Sequence, residues 1–155
     1  MERKPEAVFL CNPNNPTGRI LPFDTLEKIL EFCHQHHTRL FLDECFLDLS
    51  DEGISMKGYL KAYPELCILK AFTKSYGMAG VRLGYCLCSD EELLEKMSRT
   101  VQPWNVSILA QAADFHLPLV KSADHGVEDL VPVKALAGAV PLDHDDGQTF
   151  YIFIG

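Results

Sequence analysis

Short apolar runs alternate with amphipathic stretches along most of the chain. Ala7–Cys11 is an apolar run that passes into Asn12-Pro13-Asn14-Asn15-Pro16-Thr17-Gly18, the pattern of a buried strand ending in a tight loop. Asp24-Thr25-Leu26-Glu27 matches a helix start, with Asp24 as cap and Glu27 three residues on. Leu26, Ile29, Leu30 and Cys33 then recur at i, i+3, i+4 and i+7, predicting one buried helix face that runs to about His37. Residues 40–42 read as the next strand, ending at Asp43-Glu44, and residues 54–63 as a short helix that Pro64 terminates. Residues 67–72 and Gly84–Cys88 are two further strands, and Ser89-Asp90-Glu91-Glu92 repeats the capping pattern ahead of Leu93, Leu94 and Met97. Asn105 is placed to cap a last helix with Val106, Leu109, Ala110 and Ala113 inward. Strands alternating with helices predict an α/β fold, a mostly parallel sheet with helices on both faces.

Composition narrows the possibilities. With 47% hydrophobic and 23% charged residues among 155, the chain can build a core and suits one domain. Fourteen cationic against 22 anionic side chains give a net charge of −8, which argues against nucleic acid or an acidic membrane surface as partner. No run approaches the roughly 18 apolar residues of a membrane-spanning helix. Met1-Glu2-Arg3-Lys4-Pro5 is not followed by a signal-peptide core, so the expected location is cytoplasmic. The six cysteines form no Cys-x-x-Cys pair. Cys11, Cys67, Cys86 and Cys88 fall in or beside strand-like runs and read as small buried hydrophobes in a reduced compartment. Cys33 and His37 are spaced i, i+4, but two ligands do not complete a tetrahedral site, and His34, His36 and His37 are explained by the dipole at a helix C-terminus. No metal is expected. The acidic run 143–147 lacks the spacing of a calcium loop and reads as a solvated turn, and Trp104 beside Pro103 reads as a packing residue.

The chemistry concentrates in Ala71-Phe72-Thr73-Lys74-Ser75-Tyr76-Gly77-Met78-Ala79-Gly80-Val81-Arg82-Leu83-Gly84-Tyr85. A lysine that attacks an aldehyde must be held rigid and partly desolvated, so that its amine is neutral near neutral pH. Arg82, eight positions after Lys74, supplies a permanently charged fork suited to phosphate. Upstream, Asp43 and Glu44 stand at a strand's carboxyl end, where open α/β sheets place ligands.

In this order the Asn-Pro-Thr-Gly loop, the Asp-Glu strand end and the Lys-x7-Arg segment resemble the class I/II aminotransferase family. These are pyridoxal-phosphate (PLP) enzymes of fold-type I, and the resemblance covers roughly residues 5–113. It implies that Asn15 bonds the cofactor's ring oxygen, Asp43 pairs with the pyridine nitrogen, and Arg82 binds the phosphate. By the same resemblance Lys74 forms the Schiff base and then moves the substrate's proton. Phe46 stands where the family often has a tyrosine, and Ala71 where many members carry a phosphate-binding hydroxyl, a role left to Thr73. Together with residues 82–85 and 102–107, Phe46 makes the chain look most like threonine-phosphate decarboxylase of cobalamin synthesis, with histidinol-phosphate aminotransferase as near neighbour. The resemblance further implies an amino acid or its phosphate as substrate, a homodimer, and an antiparallel strand at Gly84.

On this reading residues 1–113 form part of a PLP-binding large domain, and residues 114–155 are an unassigned tail. The phosphate-capping N-terminal loop and the substrate-carboxylate domain of the family are not recognisable. Two functional classes therefore stand side by side: the cofactor half of an enzyme, and an inactive remnant or interaction protein. Strands without their usual neighbours also predict an association-prone chain.

Overall fold

The computed structural model describes residues 4–101, 105–107, 110 and 149–153. In chain order these form β1 (Ala7–Cys11), α1 (Phe23–Gln35), β2 (Arg39–Asp43), β3 (Leu66–Ala71), the single turn α2 (Phe72–Ser75), β4 (Gly84–Cys88), α3 (Glu91–Thr100) and β5 (Thr149–Phe153). Tight 3-10 turns at Leu47–Leu49 and Met56–Tyr59 fill the link between β2 and β3. The five strands lie in the order β1-β2-β3-β4-β5. The first three are parallel, β4 is antiparallel to β3, and β5 is antiparallel to β4. Four strands thus share one direction and β4 alone is reversed, the α/β arrangement expected from the sequence.

Two-residue alternation along the strands divides the core into two layers. Leu40 and Leu42 of β2, with Leu66 and Ile68 of β3, face Leu26, Leu30 and Cys33 of α1, and Met56 and Leu60 close the layer. On the opposite face Cys67 of β3 and Cys86 and Cys88 of β4 pack beneath Leu94 of α3. All six cysteines are free thiols. Gly84 is required where β4 begins, because a Cβ there would stand 2.9 Å from the carbonyl oxygen of Lys70. No described helix is long and apolar enough to cross a membrane.

Several local expectations are corrected. α1 begins at Phe23 behind Pro22, and no side chain caps it. Asp24 is instead a first-turn anion, and Glu27 accepts a hydrogen bond from the Tyr59 hydroxyl, so the capping box is not formed. The helix expected over residues 54–63 is only the turn Met56–Tyr59, its first backbone donors met by Ser55 and Glu44 side chains. Asp90, not Ser89, caps α3 by accepting from the Leu93 amide at 3.0 Å; the Ser89 hydroxyl donates to the Leu60 carbonyl. Ser107, not Asn105, takes the amide of Ala110. Phe72 opens α2 rather than closing a strand. The tail left unassigned by the sequence contributes β5, which covers the outer edge of β4. Trp104, Leu109, Ala113 and the acidic run 143–147 lie outside the described residues.

Two predictions follow from this packing. His34, near the end of α1, lies 2.9 Å from the Glu65 carboxylate, and that hydrogen bond raises its pKa above the ordinary 6.5. A raised folded-state pKa stabilises below the unfolded value and loses that contribution as pH rises through the folded one. Glu65→Gln should therefore lower the melting temperature near pH 6 and converge on the parent at more alkaline pH, read from melting curves across pH 5–9. Removing residues 149–155 should bare the edge of β4 and increase self-association, measured by light scattering.

Candidate functional site

Parallel pairing in the register Cys11↔Asp43 and Asp43↔Leu69 brings the carboxyl ends of β1, β2 and β3 to one edge of the sheet. The loop after β1 carries Asn15, β2 ends on Asp43, and the turn after β3 carries Lys74. Sequence spacing alone leaves these residues 28 and 31 positions apart (43 − 15 and 74 − 43); strand pairing sets the strand ends that carry or precede them side by side.

The first loop is strapped at its base by Asn12, a residue the sequence reading took only for turn chemistry. Asn12 is buried, its amide donates to the Asp43 carbonyl at 2.9 Å, and its side-chain oxygen accepts from the Leu21 amide at 2.8 Å. Within the loop the Asn14 side chain donates to Thr17 Oγ1 at 2.7 Å. Gly18, at φ +68, turns the chain with its amide on the Asn14 carbonyl. Asn15 is left exposed at the tip.

Asp43 and Glu44, adjacent in sequence, do different work. Asp43 is half-buried, and its Oδ1 accepts from the Cys45 amide at 2.9 Å, an Asx turn that fixes the carboxylate at the strand end. Glu44 is 1% exposed and accepts from Ser55 Oγ at 2.7 Å and from the Met56 amide at 2.9 Å. Burial pushes the Glu44 carboxyl up, against the pull of the Met56 and Ser55 hydrogen bonds and of Lys70 at 3.7 Å. Burial first, and then its bond to Asp43, pushes the Cys45 thiol up to about 12, so it is no thiolate nucleophile.

Lys74 is exposed, with Nζ 5.6 Å from the centre of the Phe46 ring. The partial desolvation expected of it is not supplied by the described residues, because α2 lies at the rim of the sheet. Thr73, beside it, is half-buried. Arg82 adopts φ +56, a left-handed conformation uncommon outside glycine, and its Nη1 lies 3.5 Å from the Ala79 carbonyl. The Phe72 amide donates to the Leu83 carbonyl at 3.0 Å, which ties the start of α2 to the residue after Arg82. Asn15, Asp43, Thr73 and Lys74 therefore come from neighbouring strand ends, and Arg82 from the segment bonded to α2. Lys70 and Asp48, which the sequence reading passed over, form a 2.8 Å ion pair below this group. A charge inside the apolar stretch 67–72 was the available signal.

An open cavity of about 200 Å³ lies at the opposite end of the strands, between Glu6, His37, Arg39, Pro64, Glu65 and Asp90. It is crossed by the Arg39–Asp90 ion pair at 2.5 Å and contains none of the site residues. Among the described residues no group of three or more His, Cys, Asp or Glu is placed to hold a metal ion.

The chain has counterparts among known proteins. The sequence model of the class I and II aminotransferases matches residues 1–115, and the chain belongs to that family. It is 36% identical over 108 residues to histidinol-phosphate aminotransferase of Ruminiclostridium cellulolyticum, covering 70% of this chain and 29% of that protein. The crystal structure of L-threonine-O-3-phosphate decarboxylase from Porphyromonas gingivalis superposes with a TM-score of 0.61 at 28% identity, over 68% of this chain and 33% of the other. A PLP-bound putative aminotransferase from Clostridium difficile 630 superposes at 0.53 and 28% identity, over 61% and 26%. The fold is thus that of the PLP-dependent aminotransferases, and the chain spans 29–30% of the length of the first relatives it matches.

The buried Glu44 yields a stability prediction. Glu44→Ala would strand the Met56 amide and the Ser55 hydroxyl, leave Lys70 paired with Asp48 alone, and should cost about 2–4 kcal/mol. Glu44→Gln keeps one acceptor and should cost less, both read from urea unfolding.

Proposed function

We propose that residues 1–113 form the cofactor-binding part of a PLP-dependent enzyme that acts on an amino acid or its phosphate ester. The observation that carries this reading is the convergence of Asn15, Asp43 and Lys74 on three adjacent parallel strand ends, with Arg82 tied to the same turn. The donor set suits PLP: a carboxylate for a ring nitrogen, an amide for a ring oxygen, an amine for an aldehyde and a guanidinium for a phosphate. The bound cofactor supplies a conjugated ring able to take up the electron pair released at a substrate's α-carbon.

Asp43 keeps a proton on the ring nitrogen, and its Asx turn prevents the carboxylate from swinging away. Asn15 donates to the ring oxygen; Phe46 lacks the hydroxyl to assist it. Arg82, with the Thr73 hydroxyl, holds the phosphate. Lys74 would hold the cofactor through Nζ, and that amine is the group placed to take up and return a proton.

Phe46 and Arg82-Leu83-Gly84-Tyr85 support L-threonine-O-phosphate decarboxylation as the reaction, with histidinol-phosphate transamination as the alternative. On this reading a complete family member works as a homodimer. The exposure of Lys74 favours a second reading, a folded piece without catalysis of its own.

The test is reduction with borohydride in the presence of PLP, followed by peptide mapping. Label should concentrate on Lys74 and disappear in Lys74→Ala; label spread over exposed lysines and unchanged in that variant would overturn the assignment. In a full-length homologue, carbon dioxide release from threonine phosphate supports the decarboxylase, and keto-acid-dependent amino transfer supports the aminotransferase.

A further inference from the structure

The turn that carries Lys74 cannot hold its own shape. α2 is four residues long, begins without a side-chain cap at Ala71, and is followed after Tyr76 by Gly77 at φ +64. One hydrogen-bonded turn is below the length at which a helix is stable in water, so the direction of Lys74 must be imposed from outside.

We propose that Asp48 is the positioning residue that imposes it, an inference that rests on Lys74 being the cofactor lysine. Asp48 lies on the 3-10 turn Leu47–Leu49, five residues after Asp43. One carboxylate oxygen is 2.8 Å from Lys70 Nζ on β3, and the other accepts from Ser75 Oγ at 3.3 Å at the end of α2. Lys70 and Ser75 flank Lys74 in sequence, so a single carboxylate ties both sides of the lysine to the segment that carries Asp43. Phe46, between Asp43 and Asp48, lies under Lys74 Nζ.

The brace is anchored in the interior. The Lys70 side chain is 10% exposed and 3.7 Å from Glu44, itself fixed by Ser55 and the Met56 amide. Asp48 is 49% exposed, and an ion pair with so much water around one partner contributes little to global stability. Its consequence is geometric: it sets the spacing between the carboxylate and the amine that must meet one cofactor. Groups of this kind work within about 0.5 Å of their productive placement.

The experiment uses the full chain with Asp48→Ala, Asp48→Asn and Ser75→Ala. Borohydride trapping at sub-saturating PLP is quantified at Lys74 and, as internal standards, at the exposed Lys61 and Lys96. Asp48→Ala should lower trapping at Lys74 about tenfold and leave Lys61 and Lys96 unchanged. Asp48→Asn, which keeps an acceptor for Ser75, should recover part of the loss, and Ser75→Ala should reproduce part of it. The melting temperature without PLP should move by no more than about 4 °C. Amide exchange over residues 72–77 in PLP-free protein should quicken in Asp48→Ala and Ser75→Ala. Unchanged exchange, or trapping equal to a parent that is itself labelled at Lys74, overturns the proposal. A parent that traps nothing at Lys74 defeats the cofactor reading instead, and the exchange data then decide the brace alone. If Asp48→Ala does not fold, Ser75→Ala carries the same test.

Discussion

Parallel pairing of β1, β2 and β3 is the constraint on which the rest of the structure depends. Parallel strands must each be followed by a crossover, so successive strands turn out of the sheet at the same edge. The loop after β1, the end of β2 and the turn after β3 converge because of that requirement, whatever residues they carry. The same pairing buries the central strands on both faces, which is why they read as continuous apolar runs. One face is closed by α1 and the other by α3.

At the shared edge a buried carboxylate does the joining. Glu44 is taken out of water, which is unfavourable for its charge, and is compensated by a hydroxyl, a backbone amide and the nearby Lys70. These partners come from the link after β2 and from β3, so satisfying one carboxylate fixes two segments. Asp43, one residue earlier, is then held at the rim with its carboxylate on its own turn. Two adjacent acids are thereby sorted, one to the interior and one to the edge.

The reversed strand β4 is the one place where the sheet departs from its parallel rule. It starts at Gly84, hard against the Lys70 carbonyl, where any side chain would push the strands apart. Its far edge is met by β5 from the end of the chain. The opposite edge belongs to β1, whose Phe9 is 74% exposed and stacks at 4.7 Å on Phe41 of β2.

What the amino-acid sequence determined by itself was local. Apolar runs and their period placed β1 to β4, α1 and α3 to within a residue or two, because burial imposes periodicity that neighbouring residues share. The α/β class and the order Asn15, Asp43, Lys74, Arg82 were legible for the same reason: each lies in a short motif with its own turn chemistry. Only the tertiary structure decided the rest. It settled which helix caps form, since Glu27 and Ser89 were drawn away by Tyr59 and Leu60, more than two dozen residues distant. It sent Glu44 inward, brought Lys70 and Ser75 to Asp48, made Asn12 the strap of its loop, and set β5 beside β4. Each of these partnerships joins residues remote in sequence or depends on which way a side chain faces, and neither spacing nor composition encodes that until the strands have paired.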